Sequence, residues 1–307
     1  MMPDQIAQEI GVPVNCAPGL QRVLAPNASP MTHWGTNTYI IGQASVVIID
    51  PGPDDHRHRD ALQAALDGRQ VNLILVTHSH LDHSGLAPAL SHMTGAPVCA
   101  FGDSAAGRSA VMSDLIAREP QTGGEGVDAQ FCPDIALCDG EILTGDWGQI
   151  SAVHTPGHMA NHMCFFWNDA GFTGDHVMEW ASSLVSPPDG DVAQFMRSCD
   201  KLKAYAASSY YPGHGRPVSN PADRLAWLMS HRQLREREIL SQLKESPQTI
   251  SQITAQVYAD TSPNLRAAAQ RNVFAHLIDL HTRAEISASP TLNSLATFAI
   301  VEKSEPV

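Results

Sequence analysis

The stretch Thr77-His78-Ser79-His80-Leu81-Asp82-His83 sets four metal-competent side chains within six residues. It follows Leu73-Ile74-Leu75-Val76, an apolar run with no polar face. Such a run predicts a central strand covered on both sides. Each polar group buried without a partner costs on the order of a few kcal/mol. Four of them at this density therefore point to a shared metal rather than to packing.

The neighbouring pattern alternates strand and helix. Residues 37–49 read as two strands, and Asp50-Pro51-Gly52 closes the second. Pro53 fits the first turn of a helix over 54–66, with Leu62, Ala65 and Leu66 as its apolar stripe and Gly68 as its stop. A helix over 84–94, a strand over 97–101 and a helix over 104–117 follow. Thr122-Gly123-Gly124-Glu125-Gly126 reads as a connection, because no strand-to-helix pattern frames it as a phosphate loop. Strands resume from 135 to 175, and a helix is expected over 191–207.

Three further segments join a strand to a glycine beside a ligand type: Thr155-Pro156-Gly157-His158, Thr173-Gly174-Asp175 and Pro212-Gly213-His214-Gly215. Glycine lets the backbone turn sharply and approach closely, which aims the adjacent side chain into a common pocket. The pooled set is His78, His80, Asp82, His83, His158, Asp175 and His214. Seven ligands suit two divalent ions better than one. Imidazole and carboxylate suit zinc, with iron and manganese as alternatives.

Other residues carry weaker expectations. His162 lies four residues after His158 and could brace a ligand or a substrate group. His176 follows Asp175 and, on a strand, points the other way, so it reads as structural. His33, Trp34, Trp180, Ser182 and Ser183 are candidates for the pocket mouth. His56, His58, His92, His231, His276 and His281 fall in helices and read as surface or packing residues. Arg232-Gln233-Leu234-Arg235-Glu236-Arg237-Glu238 mixes both signs and reads as a solvated helix face.

The pattern changes after Pro217. Residues 222–244 read as one long helix, Ile250, Ile253 and Val257 place a second, and the apolar spacing from Leu265 to Leu280 places a third. Residues 284–288 and 295–301 alternate like a hairpin. Three helices and a hairpin form a winged-helix pattern, giving two domains, 1–220 and 221–307. The third helix offers only Arg266, Arg271 and Arg283, a thin basic footprint. This domain is therefore expected to be a lid or dimer wall that narrows the active-site groove, with a homodimer as one arrangement.

Composition sets the outer bounds. The 307 residues are 43% hydrophobic and 17% charged, which fits a globular chain and excludes the disordered class for its bulk. Residues 221–307 are charge-balanced, so the net charge of −13 resides in residues 1–220. Two divalent cations would offset about four of those charges. The acidity disfavours a nucleic-acid partner and leaves a small-molecule substrate. The six cysteines contain no Cys-x-x-Cys pair and read as buried free thiols of a cytoplasmic protein. The first fourteen residues lack the pattern of a signal peptide, and no run of about 18 apolar residues suggests a membrane span.

The order His-x-His-x-Asp-His, then His, Asp and His, resembles the metallo-β-lactamase superfamily over residues 35 to 216. The resemblance implies a four-layer αβ/βα sandwich of class α/β, with the site on loops at one edge. It assigns His78, His80 and His158 to a first metal and Asp82, His83 and His214 to a second, with Asp175 bridging. Gly35-Thr36-Asn37-Thr38-Tyr39, His154-Thr155-Pro156-Gly157-His158, Asn161-His162-Met163-Cys164-Phe165 and Ser186-Pro187-Pro188-Asp189-Gly190-Asp191 look like the β-lactamase-like protein 2 branch. That branch carries a C-terminal winged helix and includes single-strand endoribonucleases. The glutathione-binding segment of glyoxalase II, a more distant relation, is not recognisable.

The expected chemistry is hydrolysis of a small ester, thioester, lactone or amide by a hydroxide shared between two zinc ions. Asp82 is expected to orient that hydroxide. A metal-dependent single-strand endoribonuclease is the alternative. A mononuclear-iron sulfur dioxygenase would use two His and one Asp, and a non-enzymatic regulator would need none of the seven.

Overall fold

A computed structural model describes residues 9–118 and 126–301. Its first sheet orders β1 (Val14–Ala17), β2 (Leu20–Leu24), β3 (Asn37–Gly42), β4 (Ser45–Ile49), β5 (Gln70–Leu75), β6 (Val98–Ala100) and β7 (Ile135–Ala136) side by side. The β1 to β4 pairings are antiparallel, and those from β4 to β7 are parallel. Helices α1 (His56–Leu66), α2 (Leu81–Ser84), α3 (Ala87–Thr94) and α4 (Ala110–Arg118) lie between these strands in sequence.

The second sheet runs β12-β11-β10-β9-β8, made of β8 (Glu141–Gly145), β9 (Gly148–His154), β10 (Met163–Trp167), β11 (Ala170–Gly174) and β12 (Ser209–Pro212). Only β11 and β12 are parallel there. Helix α5 (Val192–Leu202) precedes β12.

The alternation of side chains along each strand builds the layers. In β3 and β4, Tyr39, Ile41, Val47 and Ile49 face Ile150, Phe165 and Phe172 of the second sheet, forming the core between the sheets. Their neighbours Ile40, Val46 and Ile48 face Leu62 and Leu66 of α1 and Leu90 of α3. On the far side, Val153, Cys164 and Tyr210 pack on Phe195 and Leu202 of α5 and on Leu225 and Leu228. This is the four-layer arrangement of helix, sheet, sheet and helix that the sequence implied. β5 is central and covered on both faces, as its apolar run predicted, with Ile74 in the outer core and Leu75 in the inner one.

The C-terminal region comprises α6 (Pro221–Glu245), β13 (Gln248–Thr249), α7 (Ile250–Val257), α8 (Arg266–Thr282), β14 (Ile286–Ser289) and β15 (Thr297–Ile300). A small sheet ordered β13-β15-β14 completes it. Thr249 caps α7 through a reciprocal bond with Gln252, so the helix starts where the spacing placed it. Its core joins Ile239, Ile253, Leu277 and Phe298 to Met112 and Leu115 of α4.

Several expectations are corrected. The helix expected over 104–117 starts only at Ala110, because Asp103 Oδ1 accepts from Ala105 N in a turn and Gly107 takes a positive φ of 79°. The helix expected over 191–207 ends at Leu202. The β1–β2 hairpin adds two strands ahead of the first one expected. Cys132 and Cys138 are exposed rather than buried, while all six cysteines are free thiols. Most of the Gly-rich segment falls outside the described residues. Among the described residues no helix is long and apolar enough to cross a membrane.

Candidate metal centre

Each of the seven sequence-selected residues follows the C-terminal end of a strand, or sits on the short helix beyond one. His78 and His80 follow β5, and α2 carries Asp82 and His83 within one turn. His158 follows β9, Asp175 follows β11 and His214 follows β12. These strands end at one edge of the sandwich, so all seven side chains meet there. Two glycines permit the approach. A Cβ on Gly213 would stand 2.4 Å from His83 Cε1 and 2.7 Å from Asp175 Oδ1, and one on Gly157 would stand 2.3 Å from Phe195 Cα.

The outward nitrogens of four histidines are fixed by acceptors, which determines where their lone pairs point. His158 Nδ1 donates to the Leu184 carbonyl at 2.7 Å, and His214 Nδ1 donates to the Gly35 carbonyl at 3.1 Å. His83 Nδ1 donates to Asp50 Oδ2 at 2.8 Å. Thr77 Oγ1 donates to the same carboxylate oxygen and accepts from His78 Nδ1 at 3.0 Å. The Nε2 atoms of all four therefore turn inward, where a cation that displaces any proton they carry would meet their lone pairs.

The inward atoms form overlapping groups. His78 Nε2 lies 2.9 Å from His80 Nδ1, which lies 3.2 Å from His158 Nε2. His83 Nε2 and His214 Nε2 are 3.3 Å apart, and Asp82 Oδ2 is 3.6 Å from the first and 3.2 Å from the second. Asp175 stands between the groups, with Oδ2 3.7 Å from His158 Nε2 and 3.4 Å from His214 Nε2, and Oδ1 3.5 Å from His83 Nε2. Donors around tetrahedral zinc, bound at about 2.0–2.1 Å, lie about 3.3 Å apart. The separations here fit, and three groups of donor atoms each gather within 4.8 Å. Among the described residues Asp175 Oδ1 is buried with no hydrogen-bond partner, which also fits a cation ligand.

The electrostatics agree with that fit. Burial, reinforced by neighbouring histidines, holds His78 well below the ordinary value and His80 down to about 3, so both stay neutral donors. Burial alone would lower His83 and His214 as well. Carboxylates outweigh it: Asp82, Asp175 and Asp50 raise His83 well above the ordinary value, and Asp175 and Asp82 raise His214 to about 9. The pocket thus draws positive charge, as protons or as cations competing with them.

The centre opens into a cavity of about 630 Å³. Trp180, Ser182 and Ser183 line it, as expected from the sequence, together with Met31, Met178 and Leu184. His33 and Trp34 do not. The His33 ring packs 4.2 Å from Trp34 and 4.9 Å from Trp180, behind the wall. The opposite wall comes from the C-terminal region: Tyr258, Asn264, Leu265 and the Ala267, Ala268 and Asn272 face of α8.

Two arginines of α6 hold the loop that forms the wall facing α8. Arg224 donates to the carbonyls of Met178 and Ala181, each at 2.7 Å. Arg232 donates to those of Ser182 and Ser183 and to Asn272 Oδ1, and Asn272 Oδ1 also accepts from Val185 N. Arg232 is 2% exposed, so it is not part of a solvated face. Mixed charge along 232–238 hid it, because α6 turns that one position inward against Phe195. His162 bonds no candidate ligand: its Nδ1 meets Thr155 Oγ1, and its ring lies 5.2 Å from that of His78. His176 sits beyond the end of β11, packed against Phe195 and Cys199, so it is structural for a different reason than strand alternation. His58, expected to be a packing residue, is buried and bonded to Thr38 Oγ1.

The family described as the metallo-beta-lactamase superfamily matches residues 31–214, which include all seven converging residues. The chain belongs to the metallo-beta-lactamase superfamily. As a member of it, the chain is a metal-dependent hydrolase, in a superfamily that binds divalent metal ions. Residues 249–287 match the beta-lactamase associated winged helix domain, which accounts for α7, α8 and the start of β14.

Among curated relatives, the beta-lactamase-like protein 2 homolog of Caenorhabditis elegans is 30% identical over 82% of this chain and 80% of that protein. The atrochrysone carboxyl ACP thioesterase of Aspergillus fumigatus is 30% identical over 74% of this chain. The chain spans 66% of the length of that fungal protein. A beta-lactamase domain protein from Burkholderia ambifaria shares the fold of this superfamily member, with a TM-score of 0.77 at 21% identity over 95% of this chain and 94% of that one.

Proposed function

We propose that this hydrolase is a dinuclear zinc enzyme acting on a small ester, thioester, lactone or amide. Residues 1–220 would form the catalytic domain and residues 221–307 the domain that walls its cavity. The observation that carries the reading is the inward convergence of seven donors, four of them histidines whose outward nitrogens are already tied down. His78, His80 and His158 would hold one ion, Asp82, His83 and His214 the other, with Asp175 between them. Such ions supply Lewis acidity toward a carbonyl oxygen and acidify water.

The protein's own part is positioning and proton handling. Asp82 opens toward the cavity, and Thr36 Oγ1 donates to its Oδ2 at 3.4 Å. Burial would raise its carboxyl, but His83 and His214 hold it well below the usual range, so it stays ionised. An ionised Oδ2 at the cavity floor can accept a hydrogen bond from an attacking water and fix its direction. The thioesterase among the relatives favours acyl transfer to water over other chemistry. The six free thiols suit a reducing, cytoplasmic setting.

The test is metal analysis of the purified protein with hydrolysis assays on ester and thioester substrates. Two zinc equivalents and turnover are expected, and Asp175→Ala or His80→Ala should lose both activity and metal. Full loading with unchanged turnover in either variant would refute the assignment. The single-strand ribonuclease reading predicts RNA cleavage that disappears in Asp175→Ala, and the same preparation tests it.

A further inference from the structure

The walls of the cavity differ in kind from its floor. The floor carries the ionisable donors, while no lysine or arginine lines the cavity among the described residues. Away from the donors, the wall is built from Met31, Met178, Leu184, Leu265 and the alanines of α8, with neutral Ser, Thr and Asn side chains between them. Met31 and Leu265 are also partly exposed at the rim, so the apolar surface reaches the mouth. The guanidiniums of Arg224 and Arg232 lie close by, but neither lines the cavity: Arg224 bonds the carbonyls of Met178 and Ala181, and Arg232 bonds those of Ser182 and Ser183 and Asn272 Oδ1. A phosphate-bearing ligand needs cationic or backbone N–H partners, whereas an apolar wall rewards the removal of hydrocarbon from water.

We infer that the cavity is an acyl pocket, and that the substrate is a thioester or ester of an uncharged, mainly apolar acyl group seated against α8. The inference rests on the hydrolase reading above and narrows its substrate class. The carbonyl carbon sits over the donor floor and the acyl chain runs between α8 and the loop 178–184. The leaving group extends through the mouth into solvent. In the reaction, the water oxygen bonds to the carbonyl carbon and the acyl C–S bond breaks with its electron pair on sulfur. One water proton ends on that thiolate, and the other leaves with ionisation of the carboxylic acid product.

The probes are acetyl, butyryl, hexanoyl, decanoyl and succinyl thioesters of N-acetylcysteamine, used with the full-length, zinc-loaded protein. Full burial of one methylene corresponds to roughly a threefold to fourfold gain in kcat/KM. The expected result is a steep rise from acetyl to hexanoyl, levelling as the cavity fills. Succinyl should fall at least tenfold below butyryl. Ala268→Arg puts a cation in the wall and should cut the decanoyl-to-acetyl ratio at least tenfold while raising succinyl relative to butyryl. Leu265→Ser, at the partly exposed rim, is the milder second variant and should lower the same ratio without a fold defect. Hydrolysis with a flat chain-length profile, or with succinyl preferred, overturns the acyl-pocket inference and leaves the hydrolase. No hydrolysis of any probe by protein holding two zinc ions overturns the thioester class itself and, with it, the acyl-pocket inference.

Discussion

His158 and Leu184 are joined by a 2.7 Å hydrogen bond from the ring Nδ1 to the main-chain carbonyl. That carbonyl belongs to a loop held from outside the catalytic layers. Arg232 of α6 grips the two preceding carbonyls, and Asn272 of α8 grips the following N–H. The C-terminal region thus sets the angle of one candidate ligand without touching it.

Arg232→Met should therefore weaken cation binding at the group of His78, His80 and His158. Loss of an outer partner of a metal-binding histidine typically costs about 10–100-fold in affinity. Arg232→Lys keeps the charge but cannot span three acceptors, so it should rescue only part of the loss. Chelator competition on the purified variants checks this. Unchanged affinity alongside a lowered melting temperature would reduce Arg232 to a packing role.

Asp50 serves two histidines at once, His83 directly and His78 through Thr77. Asp50→Asn should weaken binding in both donor groups and remove charge-assisted bonds worth about 1.5–3 kcal/mol each. The expected outcome is a protein with reduced zinc stoichiometry and a lower melting temperature. Metal analysis and thermal unfolding measure the two effects separately.

Gly213→Ala tests the closeness of the backbone to the donors. The added methyl would meet the His83 ring and the Asp175 carboxylate well inside van der Waals contact. Zinc loading and turnover should fall together, with far-ultraviolet circular dichroism unchanged. Full loading in this variant would mean that His83 and Asp175 can give way without leaving a metal.

His276 is buried in α8, and neither ring nitrogen has a hydrogen-bond partner among the described residues. Burial, reinforced by Arg232, His231, Arg283 and Arg235, lowers its pKa to about 3. The unfolded chain, with an ordinary value of about 6.5, takes up the proton first as pH falls. The stability this neutral ring contributes is therefore complete above about 6.5 and drains away as the pH falls toward about 3. His276→Leu should raise the melting temperature, and by more at pH 5 than at pH 8. An equal gain at both pH values would mean that the ring does not titrate differently on unfolding.

The seven donors were legible because each stands at a strand end beside a glycine or in the dense run from His78 to His83. The long apolar run of β5 likewise announced its central place. What organises the donors was much less visible. Asp50 looked like a strand terminator, and its role depends on the parallel pairing of Ile49 with Leu75, which sets Asp50 beside Thr77. Arg232 stood in a stretch of alternating charge, and only the packing of α6 against α5 and α8 reveals that it points inward. The β1–β2 hairpin is not legible because both strands are short and Gln21 and Arg22 interrupt the apolar run of β2, although β2 pairs with β1 on one side and β3 on the other.

The wall of α8 and the floor of donors come from distant parts of the chain and share no residue. On the proposed reading, substitutions at positions such as Leu265 or Ala268 reshape what the enzyme accepts without disturbing the seven candidate donors. Selectivity can therefore drift between lineages while reactivity is retained. A library confined to residues 258–272 is accordingly an efficient place to redirect this hydrolase to new substrates.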